Sequence, residues 1–190
     1  MNDRSRLILC IGIFLITYAL TLGLRLYEVP AWDNPSLAIQ GEKLLATHDA
    51  YYWLAGAKDT SKDPDAALAQ ITGWVHALTG MQYGNLAFWL PALLSPLAVT
   101  PFILLGRYWR MEEGALTASV MAAGCVGFFL RTRLGFYDTD ILSLFFPLLF
   151  SVLLIHVFSP YLRSSWRKDP EVDFQLSANH CRKYMLQVLG

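Results

Sequence analysis

The chain has 190 residues, of which 55% are hydrophobic, 14% aromatic and only 16% charged, and its mean hydropathy is +0.38. This composition is too apolar for a soluble domain of this size and predicts a membrane protein. Basic and acidic residues are equal at 15 each, so the formal net charge is zero and an electrostatic nucleic-acid binder is excluded. The three cysteines form neither a disulfide framework nor a CxxC metal pattern.

Four stretches without Lys, Arg, Asp or Glu are long enough to cross a hydrocarbon core, which takes roughly 20 apolar residues. They cover about residues 7–24, 86–106, 114–130 and 141–159. We therefore expect an all-α integral membrane protein with about four transmembrane helices. The first stretch could instead be a signal peptide, but it exceeds a usual signal core and no small-residue cleavage site follows it, so we interpret it as a retained helix.

The basic residues that flank these spans predict the orientation, because such residues are retained on the cytoplasmic side. With the N-terminus inside, the cytoplasmic flanks hold Arg4, Arg6, Arg107, Arg110, Arg163, Arg167 and Lys168, and the outer flanks hold Arg25, Arg131 and Arg133. The bias favours a cytoplasmic N-terminus in the inner membrane. It places residues 26–85 and 131–140 on the extracytoplasmic side and the charged tail 161–190 in the cytoplasm.

The first outer loop, residues 26–85, is too long for a mere connector. An apolar pattern over residues 36–58 predicts one helix in it. A second helix is predicted from Asp63 as N-cap and Pro64 at the first position, with Gly80 as the stop. Their tryptophans favour a position along the membrane interface, where aromatic rings are stable and membrane lipids are the partners.

Two acids abut hydrocarbon in the segment Arg131-Thr-Arg-Leu-Gly-Phe-Tyr-Asp138-Thr-Asp140, between the third and fourth spans. In an extended loop, residues two apart point to one face, so Asp138 and Asp140 can converge on one cation. Hard divalent ions such as Mg²⁺ or Mn²⁺ prefer carboxylate oxygens. Arg131 and Arg133 could help to hold a phosphorylated lipid head group. The plainer interpretation is a solvated turn whose acids neutralise these arginines.

A third acid, Asp49, lies among aromatic residues in the first outer loop. The number of intervening spans places it on the same side of the membrane as Asp138 and Asp140. Taken alone, Asp49 would be an ordinary exposed acid of a loop.

The chain resembles the catalytic subunits of oligosaccharyltransferases, in particular the single-subunit bacterial and archaeal type, over residues 1–160. The resemblance rests on His48-Asp49-Ala-Tyr-Tyr, Arg131-Thr132, Gly135-Phe136-Tyr137 and Asp138-Thr139-Asp140. It implies the N-terminal transmembrane part of a GT-C-type glycosyltransferase. The implied reaction transfers a glycan from a polyprenyl-(pyro)phosphate-linked donor to asparagine of an acceptor polypeptide, as in protein N-glycosylation.

The same resemblance implies a role for four residues. Asp49, Asp138 and Asp140 are expected to be catalytic and to supply carboxylates to Mn²⁺ or Mg²⁺, and Asp49 would also contact the acceptor amide. Arg131 is expected to orient the acids. For His48 and Tyr137 we expect structural packing only.

Several features of the family are not found in this sequence, namely a later catalytic glutamate, a C-terminal soluble domain with a WWDYG-type motif, and an apolar fifth span. The tail 161–190 is charged instead, so we expect a truncated or frameshifted product whose missing C-terminal half would be a partner. Two alternatives stay open. One is another polyprenyl-sugar-dependent glycosyltransferase, and the other is an inactive fragment or non-catalytic four-span protein.

Overall fold

The computed structural model describes residues 3–60 and 64–165. Helix α1, Asp3–Leu26, contains the first predicted span and is about 36 Å long at 1.5 Å per residue. Its two threonine hydroxyls do not need partners outside the helix, because Thr17 donates to the carbonyl of Ile13 (2.7 Å) and Thr21 to that of Thr17 (2.6 Å). Such bonds satisfy polar side chains inside an apolar helix.

The outer loop folds into short turns, a hairpin and two helices. The hairpin pairs strand β1, Ala38–Ile39, with strand β2, Glu42–Lys43. Helix α2, His48–Ala57, and helix α3, Ala67–Thr79, follow. Helix α2 is shorter than the predicted 36–58 because the hairpin takes up the first part of that range. Gly80 ends α3 with a positive φ of 68°, as its predicted role as a stop requires. The predicted N-cap Asp63 lies outside the described residues. Pro64 is not the first helical residue, as had been predicted, because it lies in a turn and α3 begins three residues later, at Ala67.

The second predicted span corresponds to helix α4, Tyr83–Leu94, and helix α5, Thr100–Trp109. A 3₁₀ turn over Ser95–Val99 joins them. Pro91, Pro96 and Pro101 each lack a backbone N–H, so a regular α-helical hydrogen-bond ladder cannot continue through this region. The whole stretch Tyr83–Trp109 is still long and apolar enough to cross a membrane.

The third predicted span is divided into helix α6, Glu112–Gly124, and helix α7, Val126–Arg131. The break falls at Cys125, whose ψ of 118° is not helical. Neither piece is long enough by itself to cross the membrane. Within the described residues, three helical segments meet that criterion rather than the four that were predicted, namely Asp3–Trp32, Tyr83–Trp109 and Asp140–Ser159.

Close packing of α5 on α6 depends on the absence of a side chain at Gly106. A Cβ atom at this position would lie 2.3 Å from the Cβ of Ala115 and 3.0 Å from the carbonyl oxygen of Met111. The two helices can therefore approach each other only because Gly106 and Ala115 are small.

Helix α8, Asp140–Ser165, begins at the second acid of the Asp-Thr-Asp segment. The described residues up to 149 form one compact unit, and those from 150 onward belong to a second. The described part of the second unit, residues 150–165, is the later portion of α8. The predicted cytoplasmic tail overlaps this helix up to residue 165, and its remaining residues, 166–190, lie outside the described residues.

Contacts at the two ends of α1 determine which turns lie together in the first unit. Near its N-terminal end, Arg6 donates through Nε to Oε1 of Glu112 at 2.6 Å, and both side chains are about nine-tenths buried. Near its C-terminal end, Arg25 donates through Nε to the carbonyl oxygen of Thr132 at 3.0 Å. The turn between α5 and α6 therefore lies beside one end of α1, and the segment after α7 lies beside the other.

The main apolar core lies between the outer loop and the segment 132–139. Its buried members come from α2, α3, α4, this segment and the first turn of α8, and include Leu54, Leu68, Phe88, Leu134 and Ile141. This core fixes the segment that carries the two acids against the outer loop.

Candidate functional site

The acidic segment is held by backbone hydrogen bonds on both sides of Gly135. Its N–H donates to the carbonyl of Phe88 in α4 (3.0 Å), and its carbonyl accepts from the N–H of Ala46 in the outer loop (2.8 Å). Gly135 has a positive φ of 73°, and a Cβ there would lie 3.3 to 3.4 Å from Ala46, Phe88 and Trp32. The close approach and the backbone conformation both favour glycine.

Arg131 joins the two acids of the segment. Its Nε donates to Oδ2 of Asp140, and its Nη2 donates to Oδ2 of Asp138 at 3.3 Å. The guanidinium also lies over the ring of Phe136, with 5.0 Å to the centroid. The hydrogen bond to Asp140, followed by the charges of Asp140, Asp138 and Asp49, raises the pKa of Arg131 above its ordinary value. Arg131 therefore stays charged and balances part of the acidity.

Asp138 is the most enclosed of the three acids, with 7% of its surface exposed. Its Oδ1 accepts from the N–H of Thr139 (2.6 Å), from the Thr139 hydroxyl (3.2 Å) and from the indole Nε1 of Trp53 (3.1 Å). Its Oδ2 faces Arg131. The carboxylate is thus oriented by donors from its own turn, from α7 and from α2, and charge-assisted bonds of this kind are the stronger class of hydrogen bond.

Asp49 approaches this group from α2. It lies in the first turn of that helix, where Thr47 is the N-cap and accepts through Oγ1 from the N–H of Ala50 at 3.3 Å. Residues four apart lie on one face of a helix, so Asp49 shares a face with Trp53, the residue that bonds Asp138. Asp49 is exposed, and its charge contributes to the raised pKa of Arg131. The charges of all three predicted acids therefore act on Arg131.

Tyr137 packs inside the protein, as the sequence predicted. It is 0% exposed, and its hydroxyl lies 2.6 Å from Oγ1 of Thr72 in α3. Thr72 in turn donates to the carbonyl of Leu68. Burial raises the pKa of Tyr137 to about 12, against a smaller opposing effect of the hydrogen bond between Tyr137 and Thr72. The same expectation is wrong for His48, which is exposed in the first turn of α2 and is not packed inside the protein.

Arg133, the other arginine of the segment, faces a different acid. Its Nη1 lies 3.8 Å from Oε1 of Glu28, just after α1. Arg131 and Arg133 thus each face a carboxylate. This is the arrangement expected of a solvated turn whose acids neutralise its arginines. A phosphorylated head group would meet them as ion pairs rather than as free cations.

Trp53 and Arg25 are neighbours of the site that the sequence analysis did not identify. Trp53 had been interpreted as an interface anchor, but its indole N–H is directed at Asp138. Its position four residues after Asp49 was the one available signal. Arg25 had been counted among the outer flanking charges, but it is fully buried beside Thr132.

The donor set suits a divalent cation by its chemistry but not by its present arrangement. Carboxylate oxygens suit Mg²⁺ and Mn²⁺, and three carboxylates with one guanidinium leave two formal negative charges unbalanced. In the described part of the chain, however, no three His, Cys, Asp or Glu side chains are close enough together to hold a metal ion. Arg131 takes the place between Asp138 and Asp140 that a shared cation would need.

Comparisons with known proteins bear on the family of the chain. The family described as "Oligosaccharyl transferase STT3, N-terminal" matches residues 65–162, which is more than half of the 190 residues. An undecaprenyl-diphosphooligosaccharide–protein glycotransferase of Campylobacter jejuni is 24% identical over 123 residues, covering 60% of this chain and 17% of the relative. A dolichyl-phosphooligosaccharide-protein glycotransferase of Methanococcus voltae is 36% identical over 114 residues, covering 56% of this chain and 12% of the relative.

The matched region thus amounts to less than a fifth of the length of either relative. The region that the family model matches contains the Asp-Thr-Asp segment, whereas α2 with Asp49 and Trp53 precedes it. On the strength of the family match, the chain belongs to the oligosaccharyl transferase STT3 family and corresponds to its N-terminal part.

Proposed function

We propose that this chain forms the donor-side part of an enzyme that transfers a glycan from a polyprenyl-(pyro)phosphate lipid to asparagine of an acceptor polypeptide. The observation that carries the proposal is the joining of Asp138 and Asp140 by Arg131, at the end of a predicted membrane span. The names of the two relatives support the class of donor and acceptor, since both are oligosaccharide–protein glycotransferases with a polyprenyl carrier.

The proposed active side is extracytoplasmic, in the inner membrane. The contact of Arg6 with Glu112 and the contact of Arg25 with Thr132 put residues 107–112 and 132–140 beside opposite ends of α1. The basic flanks of the sequence favour the N-terminal end of α1 as the cytoplasmic one. The acids would then face the compartment in which the outer loop lies.

Each acid has a proposed role that follows from its surroundings. Asp138 is enclosed and oriented by three donors on one oxygen, so it suits a fixed position near the leaving phosphate. Asp140 is more accessible, with 35% of its side chain exposed. Asp49 is exposed and free to meet an incoming acceptor amide, which its carboxylate could orient through the amide N–H₂.

The three aspartates are also proposed to hold Mn²⁺ or Mg²⁺, for which their oxygen donors and the two unbalanced negative charges are suited. A bound divalent ion would stabilise negative charge on the departing lipid phosphate. Arg131 would have to yield part of its contact with Asp138 or Asp140 to admit the ion. Arg131 would then orient the acids in the ion-free state and keep them from repelling each other.

The test is transfer of a lipid-linked glycan to a fluorescent sequon peptide by the purified chain in detergent, with and without Mn²⁺. The C-terminal portion of the Methanococcus relative would be added in a second arm, because the chain matches only 12% of that protein. Transfer that depends on Mn²⁺ and is lost in Asp138→Ala/Asp140→Ala would support the proposal. The matched control is Asp65→Ala, an exposed acid of the same outer loop.

Donor binding separates an incomplete enzyme from a wrong assignment. A chain that binds the lipid-linked glycan through Asp138 and Asp140, but transfers it only in the second arm, would be a donor-side part. A chain that neither transfers nor binds the donor in either arm would contradict the proposal and favour the non-catalytic alternative.

A further inference from the structure

A buried arginine lies beside the candidate site at the end of α1. Arg25 is 0% exposed, although burying a guanidinium is costly unless its N–H groups have partners. None of the ion pairs among the described residues includes it. The charge is instead accommodated by oxygen acceptors and by the rings of Phe128 and Phe129, whose centroids lie 5.6 and 5.4 Å from its Cζ.

Two of the three hydrogen bonds of Arg25 go to the same residue, Thr132. Its Nε donates to the carbonyl oxygen of Thr132 (3.0 Å) and its Nη2 to Oγ1 of the same threonine (2.5 Å). Its Nη1 donates back to the carbonyl of Thr21 in α1 (3.0 Å). The planar fork of the guanidinium therefore fixes both the backbone and the side chain of Thr132, which a lysine could not do with one ammonium group.

Thr132 is itself fully engaged. Its hydroxyl accepts from Arg25 and donates to the carbonyl of Phe128 at 2.6 Å. It is 0% exposed and forms the C-terminal cap of α7. Its rotation is thus determined by bonds on both sides of the hydroxyl.

Arg131 directly precedes this fixed residue. Its side chain is 52% exposed, and its contacts are with the two aspartates and the ring of Phe136. Whether the guanidinium contacts Asp138 and Asp140 depends on the position of the backbone at residues 131 and 132. Among the described contacts, two buried hydrogen bonds reach Thr132 from another helix, and both come from Arg25. One goes to the backbone carbonyl and the other to the side-chain hydroxyl.

We propose that Arg25 is a positioning residue of the candidate site, which acts through Thr132 to hold Arg131 where it bridges Asp138 and Asp140. Arg25 is fully buried, so it is not in a position to touch a donor, acceptor or metal directly. The inference rests on the proposed function for its effect on metal and donor binding, but the geometric claim stands independently of it.

Four variants separate positioning from simple support of the fold. Arg25→Lys keeps the charge but removes the fork, and Thr132→Val keeps the shape but removes the hydroxyl. Thr132→Ser restores the hydroxyl and is the rescue variant. Thr17→Val is the matched control, because Thr17 is a buried threonine of α1 whose hydroxyl bonds only within its own helix.

Two readouts are measured on the full chain in detergent. The first is the fluorescence of Trp53, taken as the difference between each variant and the same variant with Trp53→Phe. It reports the surroundings of Asp138 without any ligand, because the indole N–H bonds that carboxylate. The second is the affinity for Mn²⁺, followed by electron paramagnetic resonance.

We expect Arg25→Lys and Thr132→Val to shift the Trp53 emission and to weaken Mn²⁺ binding about tenfold, at the lower end of the loss caused by removing an outer-shell partner. Thr132→Ser should recover both readouts, and Thr17→Val should change neither. In an Arg131→Lys background, Thr132→Val should add little, because both changes act on the same bridge.

Unchanged Trp53 emission in Arg25→Lys and Thr132→Val, with only a lower melting temperature, would overturn the inference and leave Arg25 as a support of the fold. A wild-type chain that binds no Mn²⁺ would count against the proposed metal site alone. The Trp53 emission would then still decide whether Arg25 positions the site.

Discussion

Trp53 donates its indole N–H to Oδ1 of Asp138 across 3.1 Å, and the two residues are 85 positions apart in the chain. This bond connects α2, which carries Asp49, to the segment that carries the other two acids. It explains how the outer loop and the turn before α8 form one site. Without it, Asp138 would lose its only side-chain donor from the outer loop among the described contacts.

The hydrogen bond between Trp53 and Asp138 predicts that Trp53→Phe will destabilise the protein, because the substitution keeps an aromatic ring but removes the indole N–H. Removing one donor from a mostly buried acceptor lowers the free energy of unfolding by about 1 kcal/mol or somewhat more. The expected result is a lower apparent melting temperature in detergent and weaker donor binding. Trp74→Phe is the control, because Trp74 is 66% exposed on α3. Equal effects of the two substitutions would show that the hydrogen bond to Asp138 contributes nothing measurable.

The bridge made by Arg131 predicts that lysine cannot replace it. A guanidinium presents two nitrogens to two separate carboxylates, whereas an ammonium is a single point charge. We expect Arg131→Lys to lower kcat/KM for glycan transfer, or donor affinity if the chain does not transfer alone, by about tenfold or more, which is about 1.4 kcal/mol.

Arg133→Lys is the control for that comparison, since the neighbouring arginine faces Glu28 at 3.8 Å and neither of the two acids. Its expected effect is small, because a partly exposed ion pair contributes little. A loss in Arg133→Lys as large as that in Arg131→Lys would argue for a general requirement for basic charge rather than for the bridge.

The predictable parts of this fold are those encoded locally. The uncharged runs in α1 and α8 identified two spans, and Gly80 identified the end of α3. The division of the third span at Cys125 could not be read from hydropathy, since that measure ignores backbone geometry. Two prolines five positions apart, Pro96 and Pro101, could have indicated the break between α4 and α5.

The site was predictable to a similar extent. The spacing of Asp138 and Asp140 indicated a shared partner, but that partner in the structure is Arg131. The contacts of Trp53 and Arg25 join residues far apart in sequence, and no periodic pattern marks such contacts. A tryptophan in an outer loop also fits the membrane interface equally well, so composition could not separate the two positions.

Tyr137 predicts a specific loss of stability at high pH. Burial raises its pKa to about 12, whereas an unperturbed tyrosine titrates near about 10. The folded state holds the proton more tightly than the unfolded state. This difference contributes about 2 to 3 kcal/mol to the free energy of unfolding. The contribution is fully present below about pH 10 and is lost as the pH rises toward about 12.

The measurement is the apparent melting temperature of the wild type and Tyr137→Phe in detergent across that pH range. The variant should be less stable at neutral pH, because the bond to Thr72 is lost, but should decline less steeply in alkali. Tyr27→Phe, at an 88% exposed position, should follow the wild-type curve. Parallel curves for the wild type and Tyr137→Phe would mean that Tyr137 does not control the alkaline limit.

The contact of Gly106 with Ala115 predicts that α5 and α6 cannot accommodate even one added methyl group. A Cβ at Gly106 would lie 2.3 Å from that of Ala115, so the helices must separate, at a cost of about 1–3 kcal/mol for overpacking. We expect Gly106→Ala to lower the apparent melting temperature, although alanine is the better helix former. Gly12→Ala is the control, because a Cβ built at that glycine of α1 has open space around it.

Adding Ala115→Gly to Gly106→Ala should recover part of the loss, and the remainder should reflect the carbonyl of Met111, 3.0 Å from the new Cβ. Failure of Ala115→Gly to recover any stability would place the strain elsewhere than between these two helices.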